Sequence, residues 1–326
     1  MKRKIFVDGQ EGTTGLQING RLNARKDIMM LEIDPDKRKD INERRKFLNK
    51  ADIAFLCLPD TAAREAVSFI DQDNKTTRII DASTAHRTSP DWIYGLPELG
   101  SSYYEAIRSA DRVSVPGCHA TGFNLLLFPL ASCGILPSDY PVSCHSVTGY
   151  SGGGKKMIAE YEGEMEFGKT PGMKSGKGLE SPRLYALGLK HKHLPEMQKI
   201  CGLDFPPLFS PIVGNFYQGM TVAVPINLRL LSVKMTAYDI HEHISEYYKN
   251  RSFIRVMPFG PQNYPDDGYI NATACNGTNR AELFISGHDT QILLAARFDN
   301  LGKGASGAAV QNMNIMLGMD EKAGLE

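Results

Sequence analysis

The sequence lacks the features that mark several large classes of protein. Lys plus Arg equals Asp plus Glu at 37 each, so no excess of positive charge is present to attract nucleic acid or anionic lipid. The longest apolar stretches, such as 123–133, contain Asn, Pro or Ser and fall short of the ~18 residues needed to cross a bilayer. We therefore expect a small-molecule partner, no nucleic acid and no membrane.

The cysteines also lack an organising pattern. The six of them, at positions 57, 118, 133, 144, 201 and 275, include no CxxC pair. Scattered thiols suit a reducing compartment better than a disulfide framework or a zinc site. We expect a cytoplasmic protein that holds no metal.

The chain is long enough, at 326 residues, for two domains. Up to about residue 81, short apolar runs at 4–8, 28–33, 51–58 and 78–81 alternate with helical patterns. Such alternation is typical of a parallel sheet covered by helices on both faces, the Rossmann-type α/β fold.

The second half has a different character. An apolar helix at 120–131 leads into β-rich segments at 142–147, 220–230 and 253–257. A hairpin is predicted from 281–286 and 290–298, joined by Gly287-His288-Asp289. The pattern predicts an α+β domain with an antiparallel sheet and helices on one side. We expect residues 1–117 plus 303–326 to form the first domain and 118–302 the second.

A glycine loop follows the first predicted strand and precedes the first helix. Gly9, Gly12 and Gly15 would let the backbone approach a pyrophosphate, and the helix N-terminus would supply N–H donors. The spacing departs from GxGxxG, so the glycines could instead serve only a tight turn.

The residues after the second predicted strand leave the dinucleotide open. Glu32 and Asp34 stand where an acid would hold the ribose hydroxyl of NAD. The basic run at 37–39, which includes Arg38, could instead clasp the 2′-phosphate of NADP, or it could be a solvated loop. The residues alone do not choose between NAD and NADP.

One cysteine stands in a setting that favours reactivity. Cys118 follows Pro116-Gly117 and precedes the apolar helix. A helix N-terminus stabilises a thiolate, so Cys118 is a candidate nucleophile, although a buried structural thiol is the alternative. The other five cysteines are expected to be small core residues.

A thiolate that carries an acyl group needs a partner that manages protons, and histidine usually fills that role. The segment Lys190-His191-Lys192-His193 would place two imidazoles on one side of an extended strand, with Glu196 near enough to orient a ring. A metal site is the less favoured interpretation, because no third ligand lies nearby in the sequence. Anion recognition could come from Arg87, Arg183 or the glycine-rich loop at 152–156, which contains Lys155.

Together these segments make the chain resemble the N-acetyl-gamma-glutamyl-phosphate reductases of arginine biosynthesis, in particular their shorter, second type. The resemblance spans nearly the whole chain, and the joint order of the motifs is what makes it specific. The motifs are VDGQEGTTG at 7–15, CLPD at 57–60, DAST at 81–84, YGLPEL at 94–99, PGC at 116–118, GYSGGGKK at 149–156, HKHLPE at 191–196 and DNLGKGA at 299–305.

The resemblance implies an NADP-binding Rossmann-type domain, a second α+β domain for catalysis and oligomerisation, and a homo-oligomer, dimer or tetramer. It implies Cys118 as the nucleophile and one histidine of the HKHLPE motif as the acid–base group, for which we choose His193. Substrate anions are assigned to His191, Arg87, Lys155 and Glu196. The expected NADP contacts are Gly9, Gly12, Thr13, Thr14, Gly15, Arg38, Pro59, Ser83, Asn300 and Gly302.

The implied reaction converts an acyl phosphate, N-acetyl-glutamyl 5-phosphate, into the 5-semialdehyde through a Cys118 thioester. Aspartate-semialdehyde dehydrogenases share the architecture and the thioester chemistry but lack HKHLPE and YGLPEL, so they are the nearest alternative. A second alternative is a related enzyme that acts on a differently acylated or carrier-linked acyl phosphate. A non-catalytic NADP sensor is disfavoured, since it would not need Cys118 and His193.

Overall fold

The structure is a computed structural model that describes residues 2–162 and 179–325. These residues form two compact units, Met1–Gly117 with Ala305–Glu326 and Cys118–Gly304, which we call unit 1 and unit 2. Within the described ranges, no helix combines the length and the apolar character that crossing a membrane requires.

Unit 1 is built on a parallel sheet, as the alternating pattern predicts. Its described strands pair in the order β2-β1-β3-β4-β6-β5, and every neighbouring pair is parallel. The strands are β1 (Arg3–Asp8), β2 (Ile28–Leu31), β3 (Ile53–Leu56), β4 (Arg78–Asp81), β5 (Ile93–Tyr94) and β6 (Arg112–Ser114). The helices between them are α1 (Thr13–Asn23), α2 (Ile41–Lys50), α3 (Asp60–Ser68) and α4 (Ser101–Ser109).

The core of unit 1 explains the short apolar runs in the sequence. All of β3 is buried, and Phe6 of β1 packs with Leu48 of α2 and Ala63 of α3 in one apolar cluster. A strand buried on both faces carries consecutive apolar residues rather than alternating ones. The parallel sheet also places the carboxyl ends of β1, β3 and β4 at one edge.

Unit 2 contains a larger sheet. Its described strands are β7 (Ser143–Gly149), β8 (Arg183–Leu184), β9 (Leu208–Gly214), β10 (Met220–Asn227), β11 (Ile254–Val256), β12 (Ala281–His288) and β13 (Gln291–Phe298), paired in the order β11-β12-β13-β10-β7-β9-β8. The helices are α5 (Cys118–Ser132), α6 (Gly154–Tyr161), α7 (Leu194–Ile200) and α8 (Ala237–Tyr248).

The expectation of an antiparallel sheet in this half is wrong. The sheet is mixed, because β7 pairs with β9 and β11 pairs with β12 in the parallel sense. Both connections are long crossovers, which return the chain in the same direction as the strand it left. The hairpin also differs from its predicted form: β12 extends through Gly287 to His288, and Gly287 adopts φ +138 inside the strand.

Helix α5 forms the centre of unit 2. Residues Phe123, Leu125, Leu126 and Leu127 are completely buried, and the helix packs on β10, β13, α7 and α8. A helix that is apolar on all sides is expected in such a core position. The residue that begins it, Cys118, is therefore attached to a helix most of whose residues are buried.

The chain re-enters unit 1 at its C-terminal end. A π-helical turn, Gly302–Ser306, precedes α9 (Gly307–Met316), which packs on α1, α4 and β4. In unit 1, Asn312 of α9 donates a hydrogen bond to the carbonyl oxygen of Gly95 at 2.9 Å.

Two helix-interior glycines give a matched test of this packing. A Cβ on Gly122 of α5 would lie 2.6 Å from Val222 Cγ2 and 2.8 Å from Phe298 Cε1, whereas one on Gly20 of α1 would meet nothing within 4 Å. We expect Gly122→Ala to lower the free energy of unfolding by about 1–3 kcal/mol through overpacking. Gly20→Ala should raise it by roughly 1 kcal/mol through helix propensity.

The measurement is urea unfolding of both variants followed by far-ultraviolet circular dichroism. Stabilisation by Gly122→Ala would contradict the tight packing of α5 against β10 and β13.

Candidate active site

The thiol singled out by the sequence stands at the start of α5. Cys118 is half-buried, and the first N–H groups of a helix have no partner within the helix itself. The backbone of Gly304 comes so close that a Cβ there would lie 2.8 Å from Cys118 Cβ. A glycine is therefore required at position 304 to leave the thiol its place.

Three of the other cysteines are buried, whereas Cys57 is half-buried like Cys118. Burial raises the pKa of the Cys144 and Cys201 thiols, which favours the unreactive protonated form. Cys275 is also buried, as expected for a small core residue. The expectation fails for Cys133, which is exposed because it lies just beyond the C-terminal end of α5.

A hydrogen-bonded chain fixes the ring of His119, the residue after the thiol. Ser146 Oγ donates to the carbonyl oxygen of Thr221 at 3.0 Å and also contacts His119 Nδ1 at 2.8 Å. Since the serine hydrogen is used on Thr221, His119 Nδ1 must carry the hydrogen and donate it to Ser146. His119 Nε2 is then an acceptor, and the hydroxyl of Tyr185 donates to it at 2.7 Å.

The protonation states of this chain agree with that assignment. Burial, with smaller contributions from His191 and Lys192, lowers the pKa of His119 from 6.5 to about 3, so the ring is neutral near neutral pH. Burial, with a smaller contribution from Cys118, raises the pKa of Tyr185, so its hydroxyl keeps the hydrogen that it donates. His119 is therefore a fixed neutral ring that keeps its one hydrogen on Nδ1 and does not act as a proton donor or acceptor in catalysis.

The two histidines of the HKHLPE motif lie beside this ring. The centroids of His191 and His193 are 4.6 Å apart, and each lies within about 5.5 Å of the His119 centroid. Cys118 Sγ, one ring nitrogen of His119 and one of His193 all lie within 4.8 Å of one another. Unit 2 thus brings the predicted nucleophile and the predicted acid–base residue together.

The predicted extended conformation of the HKHLPE segment is wrong. Residues 192 and 193 form a turn, and His193, with φ −89 and ψ −10, is the N-cap residue of α7. The rings meet because the turn brings them together: the backbone N–H of His193 donates to His191 Nδ1 at 3.2 Å. Glu196 lies in the first turn of α7 and is almost completely buried.

Sequence reasoning overlooked His119, Ser146 and Tyr185. His119 directly follows the nucleophile and lies in the first turn of a buried helix. A polar residue at the start of an apolar helix is the signal that could have marked it. Ser146 and Tyr185 are distant in sequence, and nothing local identifies them.

The glycine loop of unit 1 has the geometry that anion binding requires. Gly9 has φ +85, and a Cβ there would lie 2.4 Å from the carbonyl oxygen of Cys57. A Cβ on Gly15 would lie 2.5 Å from the carbonyl oxygen of Gly9. Gly12 is the N-cap of α1, with no side-chain cap, and the first turn, which begins with Thr13 and Thr14, contains no acid. The backbone N–H groups at the start of α1 are of the kind that binds phosphate at helix N-termini.

The basic residue predicted for the 2′-phosphate lies next to that loop. Arg38 forms an ion pair with Glu11 of the loop, so its guanidinium stands beside the glycines. Asp34, the candidate for the ribose hydroxyl, caps the short helix Pro35–Lys37 instead: its carboxylate accepts a hydrogen bond from the backbone N–H of Asp36 at 3.0 Å. Glu32 is exposed.

The remaining residues expected at the cofactor fall into two groups. In unit 1, Pro59 is the N-cap of α3, and Ser83 donates to the Asp81 carboxylate at 2.8 Å. In unit 2, the Asn300 amide accepts from the backbone N–H of Gly219 at 2.7 Å and donates to Ser151 Oγ at 3.1 Å, so this side chain ties down a loop. Gly302 is packed so that a Cβ would lie 2.3 Å from the Thr278 carbonyl oxygen.

The predicted anion-binding residues are distributed over both units. In unit 1, Arg87 donates to the carbonyl oxygens of Val115 at 2.9 Å and Ala82 at 3.2 Å, so part of its guanidinium has a structural role. In unit 2, Lys155 is exposed near the start of α6, and Arg183 donates to the Tyr161 hydroxyl at 2.9 Å.

Two family models match the chain. The dimerisation domain of semialdehyde dehydrogenase matches residues 118–300, and the NAD binding domain of semialdehyde dehydrogenase matches residues 10–109. Unit 1 therefore contains a nicotinamide-dinucleotide domain of this type.

Among solved structures, aspartate semialdehyde dehydrogenase II from Vibrio cholerae has a TM-score of 0.70 at 15% identity, covering 97% of this chain and 98% of that chain. The enzyme from Francisella tularensis has a TM-score of 0.71, also at 15% identity, covering 97% of this chain and 100% of that one. At such identity the likeness shows a shared fold only.

Curated relatives are much more similar in sequence. N-acetyl-gamma-glutamyl-phosphate reductase 2 from Nostoc sp. is 49% identical, with 99% of each chain covered. The reductase from Chelativorans sp. is 48% identical over 97% of this chain and 99% of its own. The reductase 2 from Pseudomonas putida is 45% identical, with 96% of each chain covered. Identity of this extent over the whole length confirms the resemblance drawn from the motifs: the chain belongs to the N-acetyl-gamma-glutamyl-phosphate reductase family.

Proposed function

We propose that this protein reduces N-acetyl-glutamyl 5-phosphate to N-acetyl-glutamate 5-semialdehyde with NADPH, through a thioester on Cys118. The observation that carries the proposal is the placement of Cys118 Sγ and a ring nitrogen of His193 within 4.8 Å of each other. A nucleophile and an acid–base group at that separation need only a small adjustment to exchange a proton around a bound substrate. The names of the relatives support the choice of substrate.

The first chemical step forms the acyl-enzyme. The Cys118 thiolate attacks the acyl-phosphate carbonyl, a C–S bond forms, and the C–O bond to phosphate breaks with the electron pair leaving on phosphate. Backbone N–H groups in the first turn of α5 would stabilise the oxyanion, because the N–H groups at a helix N-terminus point out of the helix. His119, held neutral between Ser146 and Tyr185, keeps this turn in place.

The second step releases the aldehyde. NADPH, when held at the glycine loop, would supply the hydride that reduces the thioester carbon, and collapse of the resulting hemithioacetal alkoxide would break the C–S bond. A proton from His193 lets the sulfur leave as the thiol, and the same ring accepts that proton in the reverse direction. His193 is given this role rather than His119 because His119 is hydrogen-bonded at both ring nitrogens and is held neutral.

Recognition of the two ligands is assigned to charged and backbone groups. The glycine loop with the start of α1 would hold the pyrophosphate, and Arg38 the 2′-phosphate of NADP. Pro59, Ser83 and the segment 300–302 would complete the cofactor contacts. His191, Arg87, Lys155 and Glu196 are proposed for the substrate, with Arg87 and Lys155 as the cationic groups for its anions.

The remaining assignments concern location and assembly. Unit 2 would serve both catalysis and oligomerisation, and the description of the family model at 118–300 as a dimerisation domain supports a homo-oligomer. All six cysteines fall within the described residues and none of them forms a disulfide, which supports a location in the reducing cytoplasm.

The reverse reaction tests substrate and cofactor together. We expect NADPH to form from NADP⁺, phosphate and N-acetyl-glutamate 5-semialdehyde, followed by absorbance, with little turnover when aspartate semialdehyde replaces the substrate. NAD⁺ should be used less efficiently, because Arg38 would lose its 2′-phosphate partner. Preference for aspartate semialdehyde would move the protein to the alternative function, and inactivity with both aldehydes would favour a sensor or another acyl group.

The two adjacent histidines are a matched pair for testing roles. Replacing His193 by Asn should lower kcat by about 10²–10⁴-fold, the usual contribution of a general acid–base group, with KM little changed. The same change at His191 should act mainly on KM, because that ring is assigned to substrate binding. Steady-state kinetics of both variants test the two assignments. A lower kcat in His191→Asn together with a higher KM in His193→Asn would exchange them.

A further inference from the structure

The active-site cluster of unit 2 has a ligand set that goes beyond acyl transfer. Cys118 Sγ, a nitrogen of His119 and a nitrogen of His193 lie within 4.8 Å of one another, and the two imidazoles are buried. One thiolate and two neutral imidazoles are the donors that Zn²⁺ and other thiophilic divalent cations prefer. Zinc sites with three protein ligands keep a fourth position open for water or another ligand.

The hydrogen bonding of His119 already suits a metal ligand. Its Nδ1–H donates to Ser146 Oγ at 2.8 Å, which fixes the tautomer and leaves the lone pair on Nε2. Histidines that bind metals almost always donate their other ring N–H in this way. The Tyr185 hydroxyl donates to Nε2 at 2.7 Å, and an ion bound at this nitrogen would displace that hydrogen bond.

The required movement is small. Bonds of about 2.3 Å to sulfur and about 2.0 Å to nitrogen place the ligand atoms of a tetrahedral ion roughly 3.5 Å apart. From a mutual separation of up to 4.8 Å, rotation of the Cys118 and His193 side chains would close the gap. The Cys118 side chain is half-buried rather than enclosed, so an ion has access to it.

We propose that Cys118, His119 and His193 bind one thiophilic divalent cation such as Zn²⁺, and that this ion reversibly blocks the nucleophile. On binding, the thiol proton passes to solvent and a metal–sulfur bond forms, so sulfur cannot attack the acyl phosphate. No oxidation or reduction takes place, and a chelator restores the free thiol. The inhibitory part of this inference rests on the proposed role of Cys118, whereas the binding part does not.

Two other arrangements of histidine compete with this assignment. The sequence pairs His191 with His193, but His191 Nδ1 accepts from the backbone N–H of His193 at 3.2 Å. In α8, His241 Nε2 bonds the carbonyl oxygen of Met257 and His243 Nε2 that of Pro129, each at 3.0 Å. Both rings of α8 therefore serve to anchor the helix.

Titration of the reduced protein with Co²⁺ tests binding without any assay of catalysis. A cobalt–thiolate bond gives a charge-transfer absorption in the near ultraviolet, so the spectrum reports directly on the Cys118 ligand. We expect one Co²⁺ per chain, displaced by Zn²⁺. Cys118→Ala should abolish the band, and His119→Asn or His193→Asn should weaken binding by roughly tenfold or more. Thermal unfolding of each variant shows whether it is folded.

Two controls locate the site. Cys133→Ala removes the exposed thiol and should leave both the band and the catalytic activity unchanged. His191→Asn should leave the affinity for Co²⁺ within a factor of about two. The proposal is overturned if no band appears, if the band disappears in Cys133→Ala, or if His191→Asn weakens binding while His119→Asn does not. An active enzyme without a cobalt band would refute the metal site alone, whereas a cobalt band in an enzyme inactive towards both semialdehydes would refute the function alone.

Discussion

The position of the nucleophile depends on one largely buried chain of hydrogen bonds. It runs from the Thr221 carbonyl through Ser146 to His119 and on to Tyr185. Because Ser146 and Thr221 belong to neighbouring strands, the chain attaches the first turn of α5 to the sheet of unit 2. Without it, a neutral imidazole with no partners would be buried at the start of the helix, at a cost that the fold could not easily offset.

The same hydrogen bonds also give the clustered histidines different roles. Burial keeps His119 neutral and its two hydrogen bonds hold it in one tautomer, so it positions other groups. His193 lies at the N-terminal end of α7, where the turn brings its ring beside the thiol. Two imidazoles of the same chemical type thus act differently because one of them is bonded to protein on both sides.

Local patterns predicted the elements, but they did not predict long-range pairing. The strand, glycine loop and helix at the start of unit 1 follow largely from residues close in sequence, since Gly15 meets the backbone of Gly9 and Gln10, although Gly9 meets that of Cys57, just beyond β3. The parallel pairing of β7 with β9 depends on a crossover of about sixty residues, which strand propensity does not encode.

Only part of the site was predicted, because local patterns do not show which distant residues meet. Cys118 was recognisable from its place before an apolar helix, and the HKHLPE histidines from their spacing. Their meeting depends on a turn at 192–193 that residue periodicity predicted as extended chain. The partners of His119 are contributed by β7 and by the segment after β8, so only the folded chain identifies them.

The central claim is that Cys118 carries the acyl group, and a covalent intermediate can be detected directly. The enzyme should be mixed with N-acetyl-glutamyl 5-phosphate in the absence of NADPH, quenched in acid and examined by intact-protein and peptide mass spectrometry. The account predicts one N-acetyl-glutamyl group per chain, on the peptide containing Cys118, lost on addition of NADPH and missing in Cys118→Ser. An acyl group on another residue, or full turnover by Cys118→Ser, would contradict it.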